Sequence, residues 1–308
     1  MNLVLESIAL FWRVTWLWLA AVYRAVAPIS LQSRKDVTGW LAVITGSGSG
    51  VGRLLAVRLA HLGCRVVLWD VNQAGNEATA DLIREAVPGA HVWTYTVDLA
   101  KREQIYHAAK QVKVEVGDVD ILVNNAGIIT GTQFLDSGDQ LNVKTMEVNA
   151  LSHLWAVKCF LPAMLRRNRG HLVTVASSAG LFGVPGMVDY SVSKFSAVGL
   201  IECLRLELLK QGKSGVKTTV VCPGYIDTGM FQGFKYRFPL LMRELKPTYV
   251  ADKIIEAVQT DQHMLCLPRL FYILVMIKGI MPVTVCDALA EFTGALNTMD
   301  EFVGRKKD

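Results

Sequence analysis

The chain has 308 residues, of which 52% are hydrophobic and 19% are charged, and its formal net charge is +5. Globular chains are usually about 45–50% apolar and about 25% charged, so this chain carries an apolar excess, which is concentrated near its two ends. Because the basic residues are scattered, except for three at the C-terminus, nucleic-acid binding is not expected. The six cysteines form no C-x-x-C pair, and we expect neither a metal site nor a disulfide framework.

An apolar segment in residues 1–28 opens the chain. The run from Ile8 to Tyr23 contains one charge, Arg13, and three tryptophans, side chains that favour membrane–water boundaries. A bilayer span needs about 20 apolar residues. The segment is therefore interpreted as a membrane anchor that spans the bilayer or lies in one leaflet. A buried helix of a soluble domain and a cleaved signal peptide stay open as alternatives.

Residues 29–37 are predicted to be a linker between this anchor and the following domain. Three basic residues flank the downstream side of the anchor: Arg24, Arg34 and Lys35. By the positive-inside rule, they predict that the main domain faces the cytosol. The sequence also contains no N-x-S/T glycosylation acceptor, which agrees with this orientation.

Short β-branched runs alternate with helical patterns from residue 38 to residue 268. The predicted strands are Leu41–Thr45, Arg65–Asp70, His91–Thr96, Ile121–Asn124, His171–Ala176 and Lys217–Cys222. Because these runs are continuously apolar, both faces of each strand are expected to be buried, as in a parallel sheet covered by helices. The pattern predicts a single α/β domain with a doubly wound parallel sheet of the Rossmann type. The membrane anchor precedes this domain, and an apolar C-terminal segment with its tail, residues 269–308, follows it.

A glycine-rich sequence links the first predicted strand to the first predicted helix. Glycines let the backbone turn tightly and approach a pyrophosphate, whose charge the N–H groups at the start of the helix stabilise. Such runs also occur as plain turns, but the strand–loop–helix context indicates a dinucleotide site. The residues predicted to bind the cofactor are Gly46, Ser47, Gly48, Ser49, Gly50, Val51 and Gly52.

Two carboxylates follow the next strands. Asp70 ends the second strand, where it is positioned to accept hydrogen bonds from the adenosine ribose of NAD and to repel the 2′-phosphate of NADP. Asp98, after the third strand, is expected to contact the adenine. Helix capping is the alternative role for both residues, and Arg53 is a competing cation that favours a 2′-phosphate. NAD is the predicted cofactor.

Small residues end the fourth strand, where they leave room for the adenosine half of the cofactor. They are Asn125, Ala126 and Gly127. Asparagines at this position are also common turn formers, which is the alternative.

Tyr190 and Lys194 stand four residues apart at the start of a predicted helix that ends near Lys210. This spacing places both side chains on one helical face. A free tyrosine has a pKa of about 10, and a neighbouring ammonium lowers that pKa by stabilising the phenolate, which allows acid–base chemistry. Ser177 follows the fifth strand, and its hydroxyl is positioned to hold a substrate oxygen beside the tyrosine. Such a pair alone is typical of a solvated helix face; the serine and the glycine-rich loop make the combination specific.

The chain resembles the short-chain dehydrogenases/reductases from about residue 38 to about residue 265, through T-G-x-x-x-G-x-G, N-N-A-G, the serine, Y-x-x-x-K and P-G. The resemblance implies that Tyr190 is the general acid/base and that Ser177 orients the substrate. It implies that Lys194 binds the nicotinamide ribose and tunes Tyr190, and that Asn149 supports a water-linked proton relay. Four residues match the segment beside the nicotinamide carboxamide: Pro223, Gly224, Ile226 and Thr228.

A narrower resemblance, to membrane-bound retinol dehydrogenases of the epidermal type, covers nearly the whole chain. It is carried by the N-terminal segment, L-W-D, F-L-P-A-M-L, D-Y-x-x-S-K-F, T-G-M-F and the stretch from Asn297 to Val303. In the loop of residues 229–242, Met230, Phe231 and Phe234 are predicted to line a lipophilic pocket, with a role in the core as the alternative.

The second apolar zone, from Leu265 to Val285, contains two prolines and Lys278, which argue against a membrane span. It is interpreted as a strand end followed by a helix that docks on the bilayer or covers the substrate pocket. An ordinary core helix is the alternative.

We therefore expect NAD-dependent oxidation of a lipophilic small molecule dissolved in the membrane, all-trans-retinol to all-trans-retinal. A 17β-hydroxysteroid dehydrogenase has the same machinery and stays open, as does a non-catalytic scaffold that binds NAD on a membrane or lipid droplet. The resemblance implies a homodimer formed through the helices around residues 149–165 and 190–210. The expected location is the endoplasmic reticulum membrane, with the catalytic domain facing the cytosol and lipid droplets as the alternative surface.

Overall fold

A computed structural model describes residues 3–26, 32–240 and 242–304 of the chain. Parts of the sequence predictions lie outside the described residues: residues 1, 2, 27 and 28 of the predicted anchor, the side chain of Arg24, residues 29–31 of the predicted linker, residue 241 of the apolar loop and the basic residues 305–307. The chain divides into two units, residues 1–36 and residues 37–308.

Helix α1 of the first unit spans Leu3–Val26. Its stretch Leu3–Tyr23 is long and apolar enough to cross a membrane, and none of it is buried. The tryptophans are strongly exposed, with Trp16 at 71%. A membrane anchor and a signal sequence both produce such a helix.

The second unit is built on a sheet. Its strands are β1 Leu41–Thr45, β2 Arg65–Asp70, β3 Val92–Thr96, β4 Ile121–Asn124, β5 Gly170–Val175, β6 Val216–Pro223 and β7 Met264–Leu267. All are parallel, in the order β3–β2–β1–β4–β5–β6–β7. The predicted doubly wound parallel sheet is confirmed, and the six predicted strands differ from the observed ones by at most one residue at either end.

Helices cover both faces of this sheet. They are α2 Gly50–His61, α3 Gln73–Ala86, α4 Arg102–Glu115, α5 Asp139–Met146, α6 Ser152–Arg167, α7 Val188–Lys210, α8 Pro247–Gln259, α9 Leu270–Ile280 and α10 Val283–Thr293. Helices α2, α3 and α8 pack on one face, and α4, α6 and α7 pack on the other.

Strand β1 shows why the strand sequences lack alternation. Leu41 and Val43 pack against the α4–α6–α7 layer, whereas Ala42 and Ile44 pack against the α2–α3–α8 layer, and all four are fully buried. Each buried Leu, Ile or Val side chain stabilises the fold by about 1.5–3 kcal/mol. Both faces of the strand therefore require apolar residues.

The direction of the strand order changes between β1 and β4, because β2 and β3 lie on one side of β1 and all later strands lie on the other. Loops at the carboxyl ends of strands separate at such a point and leave a crevice. The loops that follow β1, β4, β5 and β6 consequently meet at one edge of the sheet.

Helices α9 and α10 differ from the other helices of this unit. Within these two helices, which the structure describes completely, only Phe271 is buried. One set of their residues, including Leu274, Ile277 and Ala290, lines a cavity. Another apolar set is exposed and lies outside the cavity wall: Ile273, Met276, Ile280, Val283 and Phe292. Helix α9 therefore combines the predicted cavity wall with a contact to the core through Phe271, Leu274 and Val275.

Candidate active site

The glycine-rich loop joins β1 to α2 at the crevice. Gly46 has a φ angle of +67°, and a Cβ atom there would lie 2.8 Å from Cα of Ala126. A Cβ atom on Gly52 would overlap the carbonyl oxygen of Gly46. Glycine is therefore required at both positions for the loop to fold against the end of β4.

The predicted cofactor residues of this loop fall into two groups. Gly46, Ser49, Gly50 and Val51 line the cavity, whereas Ser47, Gly48 and Gly52 are not part of its wall. The fully buried Ser47 donates a hydrogen bond from its hydroxyl to Oδ1 of Asn76 at 2.7 Å. Ser47, Gly48 and Gly52 thus support the loop on the side away from the cavity, and the first turn of α2 borders the cavity.

Asp70 ends β2 on the cavity wall. Its Oδ2 accepts a hydrogen bond from the backbone N–H of Gly48 at 2.8 Å, and its Oδ1 accepts one from the N–H of Asn72 at 2.8 Å. Asn72 caps α3, since its side chain accepts from the N–H of Gly75. The capping alternative for Asp70 is therefore wrong, and its carboxylate keeps lone pairs for a ligand.

Arg53 supports the loop and is not part of the cavity wall. Its Nε donates to Oγ1 of Thr79 at 2.9 Å, and its Nη2 donates to the carbonyl oxygens of Gly48 and Gly75. These bonds connect α2 to α3 and hold the guanidinium outside the cavity.

Asp98 lies on the cavity wall after β3. Its Oδ1 accepts a hydrogen bond from the N–H of Ala100 at 3.1 Å, while Lys101 is the N-cap residue of α4. The capping alternative for Asp98 is therefore wrong as well.

Asn125, Ala126 and Gly127 follow β4 and line the cavity. The Nδ2 of Asn125 donates to the carbonyl oxygen of Thr45 at 3.0 Å, which joins the ends of β4 and β1. A Cβ atom on Gly127 would lie 3.4 Å from Nζ of Lys194. This segment thus connects the glycine-rich loop to the predicted catalytic residues.

Tyr190 and Lys194 lie in the first two turns of α7, which begins at Val188 and ends at the predicted Lys210. They are 5% and 3% exposed, and both line the cavity. The Lys194 Nζ donates to the carbonyl oxygen of Val175 at 2.9 Å and lies 5.5 Å from the centroid of the Tyr190 ring. The predicted shared helical face is confirmed.

Ser177 follows β5 and lines the same cavity. Its Oγ accepts a hydrogen bond from the N–H of Ala179 at 3.1 Å. Burial raises the pKa of Tyr190 to about 12, and the hydrogen bond with the Ser177 hydroxyl acts in the opposite direction. Burial also lowers the pKa of Lys194 to about 8. The three side chains therefore form one buried group.

Asn149 lies in a π-helical turn, Glu147–Leu151, between α5 and α6. Its Oδ1 accepts from the N–H of Ile128 at 2.8 Å, and its Nδ2 donates to the carbonyl oxygen of Ile128 at 2.8 Å and to the Ser193 hydroxyl at 3.1 Å. Such turns are frequent at functional sites. Asn149 thus connects the loop after β4 to α7.

The cavity has a volume of about 810 Å³. Met230, Phe231 and Phe234 lie on its wall, as do Pro223, Gly224, Ile226 and Thr228. The Phe231 ring meets the Tyr190 ring edge to face, with centroids 5.8 Å apart. The glycine-rich loop, the Ser177–Tyr190–Lys194 group and the apolar residues of the loop after β6 therefore border one cavity.

Known proteins share this arrangement. The family model described as short chain dehydrogenase matches residues 41–236. The chain belongs to the short-chain dehydrogenase family. The resemblance of its motifs is confirmed, and this short-chain dehydrogenase is an oxidoreductase that acts on CH–OH groups.

This short-chain dehydrogenase is 48% identical to epidermal retinol dehydrogenase 2 of Mus musculus over 276 residues, which are 90% of the chain and 89% of that protein. A solved short-chain dehydrogenase from Burkholderia phymatum, in complex with NAD, is similar to this chain with a TM-score of 0.71 and 29% sequence identity. The match covers 80% of this chain and 94% of the Burkholderia chain. A solved metagenomic short-chain oxidoreductase, in complex with NADP, has a TM-score of 0.63 and 28% identity and covers 75% of this chain and 96% of its own.

Sequence reasoning missed His153 of this short-chain dehydrogenase, which is 1% exposed. Its ring lies near the Lys194 ammonium and the carbonyl of Ala126, but neither ring nitrogen makes a hydrogen bond to a described residue. Burial, followed by the Lys194 charge, lowers the pKa of His153 to about 3, so the ring is neutral. The sequence feature that could have indicated His153 is its position, four residues after the predicted site residue Asn149.

The residue before the tyrosine was also missed. Asp189 is 8% exposed, and the Thr130 hydroxyl lies 2.8 and 2.9 Å from its two carboxylate oxygens. This contact holds the loop after β4 against the start of α7.

Proposed function

We propose that this short-chain dehydrogenase oxidises a lipophilic alcohol with NAD, and that the alcohol is all-trans-retinol, which becomes all-trans-retinal. The observation that carries the proposal is the single cavity whose wall combines the glycine-rich loop, the Ser177–Tyr190–Lys194 group and the apolar side chains of Phe231, Phe234 and α9. The similarity to a protein named as a retinol dehydrogenase supports the choice of retinol.

The residues present fit a nicotinamide dinucleotide. The backbone at Gly46 and Gly50 forms a cradle beside the first turn of α2, the arrangement that accepts a pyrophosphate. Pro223 and Thr228 lie on the same cavity wall as Tyr190, where the nicotinamide would lie. When bound, the oxidised cofactor supplies the hydride acceptor.

NAD is preferred to NADP because of two side chains. The Asp70 carboxylate lies on the cavity wall, where it would bind ribose hydroxyls and repel a 2′-phosphate. Arg53, the competing cation, is held by Thr79 and by backbone carbonyls outside that wall.

Replacing Asp70 by asparagine is expected to lower the ratio of kcat/KM for NAD to kcat/KM for NADP by about 100-fold, because a like-charge contact costs several kcal/mol. The amide oxygen can still accept from Gly48 or Asn72, so the charge is the main change. The ratio is measured with both cofactors at a saturating alcohol concentration. Asp81→Asn, which changes an exposed carboxylate on α3, is the matched control and should leave the ratio unchanged. An unchanged ratio in Asp70→Asn would remove Asp70 as the selecting residue.

Two side chains, Ser177 and Tyr190, contact the alcohol oxygen and carry its proton chemistry. The Ser177 hydroxyl, hydrogen-bonded to Tyr190, holds the alcohol oxygen beside that residue. Tyr190 Oη then accepts the hydroxyl proton of the alcohol as the carbinol carbon loses its hydride. The alcohol carbon is thereby oxidised by two electrons to a carbonyl, and the reaction yields the aldehyde, the reduced cofactor and one proton.

Lys194 and Asn149 support this proton transfer. The Lys194 ammonium, 5.5 Å from the Tyr190 ring centroid, stabilises the phenolate. A Cβ atom on Gly127 would lie 3.4 Å from Lys194 Nζ and 3.5 Å from Asn149 Oδ1. The two polar groups therefore border the same space beside Gly127, where a water-linked relay from Lys194 would run.

The apolar ends of the chain support a membrane-bound enzyme. Helix α1 exposes most of its apolar side chains between Leu3 and Tyr23, and α9 and α10 expose apolar residues while lining the cavity with others. Such a helix pair suits the boundary of a bilayer that holds the substrate. We propose the endoplasmic reticulum membrane, with residues 1–28 as anchor, 29–37 as linker, and the domain 38–268 and the segment 269–308 on the cytosolic side.

A triple variant of α9 is expected to lower activity on retinol held in vesicles by about tenfold. The variant replaces Ile273, Met276 and Ile280 by serine, and so removes exposed apolar surface that would be buried in the bilayer. Activity on a short water-soluble alcohol should stay within about twofold of the wild type. The control is the same change at three exposed residues elsewhere, Leu82, Val114 and Leu135. Equal losses on both alcohols would contradict membrane contact through α9.

A homodimer through α6 and α7 is part of the proposal. Helix α7 keeps Val192, Phe195, Leu206 and Leu209 between 42% and 70% exposed. The same face of a second copy would cover them in an isologous interface.

The substrate is tested by comparing initial rates for all-trans-retinol and oestradiol, using membranes that contain the full chain and NAD. The proposal expects the higher rate with retinol. A higher rate with oestradiol would assign the hydroxysteroid alternative, and no oxidation of either alcohol would favour the non-catalytic scaffold.

A further inference from the structure

The last described residues of the chain return to the active site. Thr298 and Met299 are 6% and 9% exposed, although α10 before them contains no buried residue. Thr298 lines the cavity, and Met299 packs in a cluster with Met187 and Tyr190. Residues 298–303, called the tail below, therefore belong to the surroundings of Tyr190.

Two glycines allow the tail to approach the loops of the site. A Cβ atom on Gly131, in the loop after β4, would overlap the ring of Phe302. A Cβ atom on Gly233, in the loop after β6, would overlap the carbonyl oxygen of Glu301. Both glycines also have positive φ angles, +68° and +89°, so any larger residue there would displace the tail.

Backbone hydrogen bonds join the tail to the apolar loop that follows β6. The N–H of Val303 donates to the carbonyl oxygen of Gln232 at 2.9 Å, and the N–H of Lys235 donates to the carbonyl oxygen of Thr298 at 3.2 Å. Lys235 also forms an ion pair with Glu301, but both side chains are about two-thirds exposed, so this pair contributes little. The tail is thus attached to the segment that carries Phe231 and Phe234.

A chain of aromatic contacts leads from the tail to the reacting group. The rings of Phe302 and Phe231 have centroids 6.4 Å apart, and Phe231 meets the Tyr190 ring edge to face at 5.8 Å. Phe231 lines the cavity, whereas Phe302 lies behind it and is not part of the wall. Phe302 is therefore connected to the cavity through its ring contact with Phe231.

We propose that the tail determines substrate specificity: Phe302 holds Phe231 against Tyr190 and narrows the cavity around the reacting hydroxyl. A primary alcohol at the end of an elongated apolar chain fits this space, whereas a secondary alcohol within a ring system is excluded. Phe302 is accordingly a positioning residue. The inference rests on the proposed function and names the substrate class of that same site. Small differences of volume in apolar pockets change specificity by about 10–200-fold.

The test uses the full chain in membranes, with NAD, and measures the ratio of kcat/KM for all-trans-retinol to kcat/KM for oestradiol. Phe302→Ala is expected to lower this ratio by about tenfold or more. The KM for retinol should rise while its kcat is retained, and kcat/KM for oestradiol should increase. Phe302→Leu, a milder change that preserves apolar packing, should lower the ratio less, and Phe302→Tyr, which keeps the ring, should preserve it. Phe134→Ala, which removes a ring that is 55% exposed, is the matched control and should not change the ratio.

A ratio within about twofold of the wild type in both Phe302→Ala and Phe302→Leu would overturn the proposal. Equal losses on both alcohols, together with a lower Tm, would also overturn it, because the tail would then only support the fold. If Phe302→Ala does not fold, Phe302→Leu decides by the same ratio. A wild-type preference for oestradiol would defeat the proposed function and the substrate class named here, while a changed ratio in the variants would still support Phe302 as a positioning residue.

Discussion

Phenylalanine in place of Tyr190 is expected to lower kcat/KM for alcohol oxidation by about 10³-fold, because the lost hydroxyl is the proposed proton acceptor and general acid–base catalysis contributes about 10²–10⁴-fold. The ring is retained, so its edge-to-face contact with Phe231 at 5.8 Å should persist and the protein should fold. The measurement is the initial rate of NADH formation over a range of alcohol concentrations at saturating NAD.

Tyr106→Phe is the matched control for this experiment. It removes a hydroxyl from a residue of α4 that is 40% exposed, and it should leave kcat/KM unchanged. A wild-type rate in Tyr190→Phe would show that the oxidation does not pass through this hydroxyl, and the mechanism would be wrong.

Replacing Lys194 by methionine is expected to lower kcat/KM for oxidation by about tenfold or more below pH 8, where the wild-type ammonium is charged, and by less at higher pH. Oxidation needs Tyr190 as a base, and burial already raises the pKa of Tyr190 to about 12. The ammonium stabilises the phenolate, so its removal raises that pKa further and the base form requires a higher pH. Since burial lowers the pKa of Lys194 to about 8, the wild-type ammonium is mostly protonated at pH 7.

The pH profile is measured as kcat/KM from pH 6 to pH 10 for the wild type and the Lys194→Met variant. Lys210→Met, an exposed lysine at the end of the same helix, is the control and should keep the wild-type profile. An equal loss of kcat/KM at every pH from 6 to 10 would mean that Lys194 only binds ligand and does not tune Tyr190.

Local patterns explain why much of the fold was predictable from the sequence. All five residues of β1, four of them apolar, are buried, so burial on both faces can be read directly from the apolar run that begins at Leu41. Tyr190 and Lys194 share a helical face because of their spacing alone. The glycine-rich loop was recognisable because it lies between a strand and a helix, where backbone approach to Ala126 requires Gly46.

Features that depend on tertiary contacts were not predictable in the same way. The π-helical turn at Asn149 accompanies hydrogen bonds to Ile128 and Ser193, which are distant in the sequence. The contact between Gly131 and Phe302 joins residues far apart in the chain, and no periodicity indicates it. Asn72 caps α3, and the Asp70 carboxylate lies on the cavity wall, although the sequence alone allowed either residue to be the cap.

Transfer of deuterium tests the central claim most directly. Membranes that contain the full chain are incubated with NAD and all-trans-retinol that carries two deuterium atoms on its carbinol carbon. We predict that the wild type forms deuterated retinal together with deuterated NADH, and that Tyr190→Phe forms almost none of either product. Absence of deuterium from NADH while retinal accumulates, or equal transfer by the Tyr190→Phe variant, would contradict the proposed hydride transfer.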